Sequence, residues 1–209
     1  MGNVFLVDHP LIAHKLTHLR DETTETKRFR ELVAEIATLL CYEATKDMEL
    51  TNVTIRTPLE ETASKVIKGK KVAVIPILRA GLGMVEGITS LLPAARVGFV
   101  GIYRDHDSLE PIQYYAKVPG SLGERMVLVL DPMLATGGSA AHALTLLKER
   151  GARSIKLLSI VSAPQGIAAV HQRHPEVPIV TAAIDRGLND VGYILPGLGD
   201  AGDRLFGTR

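Results

Sequence analysis

"VLVLDPMLATGGSAAHAL" spans residues 127–144. An apolar run ends at Leu130 and meets an acid, Asp131. A turn of small residues follows, Ala135, Thr136, Gly137, Gly138 and Ser139, and then a helical pattern. The apolar run suits a strand buried on both faces, as in a parallel sheet. Thr136 to Ser139 stand where a loop becomes a helix. Unpaired N–H groups and the helix dipole favour an anion at such a point. A phosphate there can also accept from the hydroxyls of Thr136 and Ser139, and the glycines let the backbone come close. The alternative is a tight strand–helix turn with a serine cap. Asp131, five positions before Thr136, tips the balance toward a ligand. A carboxylate at a strand end can accept hydrogen bonds from the vicinal hydroxyls of a sugar. Phosphate on the turn and ribose on the acid would lay a ribose 5-phosphate across this loop. Other nucleotide loops fail on spacing: no lysine follows Gly138, and "GLG" at 81–83 does not continue as a dinucleotide fingerprint.

The surrounding pattern extends the α/β reading. Strands are expected at 70–78, 95–104, 125–131, 154–163 and 177–185, with helices between them. The helix after the turn ends at Gly151, a C-cap residue. Strands alternating with helices of 10–14 residues give a mostly parallel sheet flanked by helices. Ligands of such sheets bind beyond the carboxyl ends of the strands. That rule marks Ile77–Arg79, Tyr103–Arg104, Asp131–Ser139 and Asp185–Asn189. The first 50 residues read as a helical N-terminal arm. Leu11, Ile12, Leu16 and Leu19 share one face. Phe29, Leu32, Val33, Ile36, Leu39 and Leu40 share another. "ELTNVTIRTPLE" reads as a short strand or hairpin. Residues 105–122 read as a hairpin or a mobile loop. The tail from 186 is loop-rich. A single domain over 1–209 is expected, with its core at 70–185.

Composition narrows the chemistry. Lys plus Arg is 24 and Asp plus Glu is 23, so no global positive field invites nucleic acid, and an anion site must be local. The one cysteine, Cys41, rules out an internal disulfide and reads as a buried small hydrophobe. The histidines are scattered in helical patterns and read as structural or exposed. No apolar run approaches the roughly 18 residues of a spanning helix, and no signal pattern opens the chain, so a cytoplasmic location is expected, without a membrane partner.

DPMLATGGS resembles the PRPP-binding motif of phosphoribosyltransferases (PRPP is 5-phosphoribosyl 1-diphosphate). The common form has two adjacent acids. Here Pro132 follows Asp131, a departure shared with the uracil phosphoribosyltransferase branch. "YILPGLGDAGDRLFGT" (193–208) resembles that family's uracil-binding segment, and Arg79 in "PILRAGLGM" and Arg104 in "GIYRD" stand at family positions. The resemblance covers essentially the whole chain, including "TKRFRE".

It implies a phosphoribosyltransferase-like fold with a C-terminal base-recognition segment, and transfer of the phosphoribosyl group from PRPP to uracil. PRPP would contact Arg79, Arg104, Asp131, Pro132, Met133, Leu134, Ala135, Thr136, Gly137, Gly138, Ser139 and Asp200. Arg79 and Arg104 offer planar forks suited to the diphosphate. Uracil would meet Ile194, Gly199, Asp200 and Ala201, largely through backbone groups. Small residues there disfavour purines. The absence of a conspicuous Lys or Arg between 187 and 203 disfavours orotate. Asp200, Arg104 and Asp131 are the expected catalytic residues. Asp200 would either bind magnesium-linked oxygens or assist proton loss from the attacking nitrogen. Mg2+ is expected mainly through PRPP, with Asp200 as the one protein contact in view. The family forms dimers or larger assemblies, and some members are activated by GTP, so a homo-oligomer and GTP control are expectations too. Competing readings are a phosphoribosyltransferase for another base, a PRPP-sensing regulator that binds nucleic acid, and a structural domain with a vestigial phosphate loop.

Overall fold

The computed structural model describes residues 3–69, 72–104 and 111–208. A short strand β1 (Val4–Leu6) precedes helices α1 (Pro10–Arg20) and α2 (Thr26–Ala44). Pro10 opens α1, where a missing N–H is harmless, and the His9 ring accepts from the Leu11 N–H at 3.1 Å. Strands β2 (Leu50–Arg56) and β3 (Glu61–Ile67) form a separate antiparallel hairpin. The core then runs β4 (Val72–Leu78), α3 (Leu82–Leu91), β5 (Arg96–Val97), β6 (Phe99–Arg104), β7 (Pro111–Lys117), β8 (Met126–Leu130), β9 (Met133–Leu134) and α4 (Gly138–Glu149). It continues through β10 (Ser154–Ser162), α5 (Pro164–Arg173) and β11 (Ile179–Ile184). The tail holds β12 (Gly187–Leu188), β13 (Ile194–Leu195) and α6 (Ala201–Phe206).

Among the described residues nine strands make one sheet, ordered β1-β11-β10-β8-β4-β6-β7, with β5 on β4 and β9 on β10. Every pair is parallel except β6 with β7. The expected mostly parallel α/β sheet is therefore present. Strand alternation sorts the core into two layers. Val72, Val74, Leu128 and Leu130 face α2 and α3, while Ala73, Ile75, Val127 and Val129 face α4 and α5. Burial on both faces explains why these strands are continuous apolar runs.

Three regions differ from, or sharpen, the sequence reading. The N-terminal arm is helical, but β1 joins the sheet edge beside β11. Three residues, of which Phe5 and Leu6 are exposed, carry too little pattern to announce a strand. Residues 111–117 form the hairpin alternative with β6, while 105–110 lie outside the described residues. The tail is not all loop: β12 pairs with β13, and α6 packs on α2 through its buried Leu205. Cys41 is fully buried, and burial pushes its thiol up to about 11, away from reactivity. Among the described residues no helix is long and apolar enough to cross a membrane.

Candidate active site

Parallel pairing brings the carboxyl ends of β4, β6, β8, β10 and β11 to one edge. Pro76 is level with Leu130, Leu130 with Leu158, and Ser162 with Ile184. Arg79, Asp131 and Asp185 therefore leave the sheet on the same side. Arg104 closes β6 there as well, three residues beyond the Leu78–Gly101 pair.

The turn after β8 is fastened to the sheet by its backbone. The Asp131 N–H donates to Leu158 C=O at 3.1 Å. Pro132 is buried, and its carbonyl accepts from both Ile160 and Val161. Its ring takes the place of a second acid while its carbonyl pins the turn to β10. Leu134 C=O accepts from Ala163 N–H at 2.8 Å. Gly137 forms the N-cap of α4 at φ 81°, with no side-chain cap bond. A Cβ at Gly137 would sit 2.6 Å from the Gly166 carbonyl of α5, so conformation and space both demand glycine. The serine-cap alternative is thus not what the turn adopts: glycine caps, and Thr136 and Ser139 are half-buried at the mouth of the helix.

Asp131 is half-buried, and among the described residues its carboxylate receives the Met133 N–H, at 3.4 Å. Burial raises its pKa from 3.8 to about 7, and the Met133 N–H offsets little of that rise. Burial thus disfavours the charged form of Asp131.

Arg79 extends toward the tail. Its side chain is more than half exposed and lies 3.7 Å from Asp203, with Phe206 beyond at 6.0 Å from guanidinium carbon to ring centre. The Leu78–Arg79 peptide bond is cis. Asp200 is the N-cap of α6, its Oδ1 accepting the Asp203 N–H at 2.9 Å. A Cβ placed on Gly202 would stand 3.2 Å from that Oδ1 and 4.0 Å from an Arg79 nitrogen. Arg79 and Asp200 thus flank one glycine. Ile194 and Ala201 are buried, while Gly199 takes a left-handed φ of 78°.

Three side chains with no assigned role in the sequence reading hold this tail. Arg20 forms a two-pronged pair with Asp185, at 2.7 and 2.8 Å, and also donates to Gly197 C=O at 2.7 Å. Asp185 accepts the Gly197 N–H at 2.8 Å. Arg204 donates to Leu198 C=O and to Leu19 and Asp21 carbonyls, its guanidinium 4.3 Å from the Phe29 ring centre. Only Asp185, at a marked strand end, carried a signal. His174 is buried in a separate network with Thr145, Lys148 and the Ala141 carbonyl, in keeping with a structural role.

Comparisons with known proteins agree with one another. The model of the family described as uracil phosphoribosyltransferase matches residues 6–208. The uracil phosphoribosyltransferase of a Thermoanaerobacter species is 60% identical over 207 residues, 99% of each chain. That of a Geobacillus species is 59% identical over 209 residues, the full length of both. Among solved structures, the AQ2163 protein from Aquifex aeolicus superposes with a TM-score of 0.92 at 38% identity, over 97% of each chain. Adenine phosphoribosyltransferase from Trypanosoma brucei, in complex with AMP, pyrophosphate and ribose-5-phosphate, gives 0.58 at 16% identity, a likeness of fold. It covers 96% of this chain and 89% of that one.

Proposed function

The chain belongs to the uracil phosphoribosyltransferase family, and from that premise we propose how its residues divide the transfer of a phosphoribosyl group from PRPP to uracil. The products are UMP and diphosphate. The observation that carries the division is the meeting of the Thr136–Ser139 turn, Asp131, Arg79 and the 194–203 tail at one edge of the sheet.

The turn binds the 5-phosphate through the first N–H groups of α4 and the hydroxyls of Thr136 and Ser139. Met133, Leu134 and Ala135 shape the wall between phosphate and sugar. Asp131 takes the ribose hydroxyls. Raising its pKa from 3.8 to about 7 corresponds to about 4 kcal/mol against the charged form. Two hydroxyls donating to a carboxylate supply about 3–6 kcal/mol. Hydrogen bonds from PRPP are thus of the size needed to offset the cost of charging Asp131.

Arg79 leaves Asp203 to receive the diphosphate, and Arg104 serves the same group from the end of β6. An exposed pair at 3.7 Å contributes at most about 1 kcal/mol, so a phosphate competes for Arg79 with ease. The uracil N1–C1′ bond forms as the C1′–O bond to diphosphate breaks, and N1 gives up its proton. Positive charge grows on the ribose and negative charge on the leaving group, between the Asp131 carboxylate and the arginines. Ile194, Gly199 and Ala201 present backbone groups to the two carbonyls and N–H of uracil. Asp200 serves either the charge on magnesium-linked oxygens or the N1 proton. Its cap bond uses Oδ1, so either role falls to Oδ2.

Family membership brings Mg2+ with PRPP. Among the described residues no group of three or more His, Cys, Asp or Glu could hold a metal. Two carboxylates at one edge, Asp131 and Asp200, fit an ion carried largely by substrate oxygens and water. When bound, the ion neutralises charge on the departing diphosphate.

Self-association belongs to the same proposal. The β2–β3 hairpin is a sheet by itself, with Leu50, Ile55, Leu59 and Val66 exposed. Two strands alone are marginal in water, which favours cover by another copy. Sedimentation at several concentrations, with and without GTP, checks assembly and GTP control together.

The deciding experiment is UMP formation from uracil, PRPP and Mg2+, run beside orotate, hypoxanthine and adenine. Uracil should be turned over far faster than the others. Equal or better use of another base would overturn the assignment.

A further inference from the structure

We infer that Arg20, acting through Asp185, is a positioning residue for the base: the pair sets the shape of the uracil loop from outside the site. The inference rests on the proposed placing of uracil against residues 194–201.

Three observations carry it. First, the pair grips both hydrogen-bonding groups of one residue. Arg20 donates to the Gly197 carbonyl, and Asp185 accepts the Gly197 N–H. Gly197 thus has its backbone fixed on both sides without a strand partner. Second, Gly197 holds a left-handed turn in the loop. Its φ is 61°, and a Cβ there would collide with the Ile194 carbonyl. Holding Gly197 therefore holds Ile194 on one side and Gly199 on the other. Third, the pair is built for geometry. Asp185 is 6% exposed and Arg20 25%, and the contact is two-pronged. Such forks fix angle as well as distance. Apolar residues of similar size often serve stability as well as a buried ion pair does. A charge pair aimed at one peptide group does something they cannot.

A neutral base explains the need. Uracil offers a few hydrogen-bonding groups and no charge, so its binding depends on donors and acceptors standing in the right places. Ile194, Leu198 and Ala201 anchor the loop in the core, but Pro196, Gly197 and Gly199 offer no polar side chain, so the hydrogen bonds that orient its backbone at Gly197 come from outside. Arg204 supplies the neighbouring tie, at Leu198 C=O, and is anchored on the same corner after α1. The end of α1 is in this sense the foundation of the base site.

The test compares Michaelis constants for the two substrates. Arg20→Lys keeps the charge and loses the fork. It should raise KM for uracil about 10-fold, with KM for PRPP and kcat within about threefold of the parent. Arg20→Met combined with Asp185→Asn removes both charges and leaves no ion unpaired. It should raise KM for uracil at least as much while keeping the melting temperature near that of the parent. This variant gives the reading should Arg20→Lys fold poorly. An unchanged KM for uracil in the folded double variant overturns the inference. So does a parallel rise in both Michaelis constants, which is what a purely structural pair would give. Ala201→Val, which crowds the proposed base wall directly, separates the two levels. If it leaves KM for uracil unmoved, the placing of the base is wrong. If it raises that constant and the Arg20 variants do not, the positioning role alone is wrong.

Discussion

The turn proposed to hold phosphate and the loop proposed to hold uracil lie at the same edge of the sheet, yet they are held in opposite ways. Residues 131–139 take their shape from near neighbours and from the strand beside them. Met133 N–H turns back on Asp131, Ala135 N–H on Met133 C=O, and β10 ties Pro132 and Leu134. Residues 194–203 depend on distant residues. Arg20 lies 177 positions from the Gly197 carbonyl it binds, and Arg204 joins the tail to Leu19 across 185. The contrast follows the ligands. A phosphate is satisfied by backbone N–H groups that a helix start offers anyway. A neutral base gains nothing from charge and needs a loop whose atoms stay put.

If the two regions are built separately, a change in one should move the constant of one substrate. Asp200, proposed to serve both substrates, is the sharpest exception. Asp200→Asn keeps a good N-cap residue and should fold normally, with turnover at least ~100-fold lower. Near-parent kcat by steady-state assay would remove Asp200 from the chemistry. Next comes Gly137→Ala. Its Cβ meets a backbone carbonyl and a disfavoured φ, costing about 2 kcal/mol in a denaturant melt and raising KM for PRPP ~10-fold or more. KM for uracil at saturating PRPP should hold. If it rises equally, the regions are one unit and the comparison breaks.

A subtler effect concerns protons. Below about pH 7 Asp131 is protonated in the free site, because burial has raised its pKa. PRPP must then displace a proton, so its affinity should fall as pH drops, approaching about tenfold per unit. Above pH 7 this contribution is flat. PRPP has titrating phosphates of its own, so the comparison is with Asp131→Asn, in which the Asp131 share of the slope should vanish. An identical slope in titration calorimetry would show that Asp131 does not ionise on binding. The smallest change expected is Arg204→Lys. It retains charge and one carbonyl contact, and should raise KM for uracil only about threefold while leaving that for PRPP alone.

The same contrast decides what was legible in the sequence. Val127–Leu130 and Val72–Ile77 announce themselves because both faces are buried, and the turn after β8 is written in nine consecutive letters. The carboxyl-edge rule then found Arg79, Asp131 and Asp185 together. The opening strand escaped because three residues paired on one side have no periodicity to read. The tail's β12, β13 and α6 are two to six residues long and exist because of what they pack on. Arg20 reads as the polar end of an amphipathic helix. Its role is set by an aspartate 165 residues away, and no window along the chain contains both. The serine cap weighed as the alternative at Ser139 is not formed: Gly137 caps α4, where the close approach of Gly166 leaves room only for glycine.

The Arg20–Asp185 pair also imposes a timetable. During synthesis, at about 5–20 residues per second, the arginine emerges some 8–33 s before its aspartate. The strands that carry the phosphate turn are translated within that interval. A ribosome therefore makes the turn of residues 131–139 before the tail. The loop at 194–201 is fixed only when those late residues return to the end of α1.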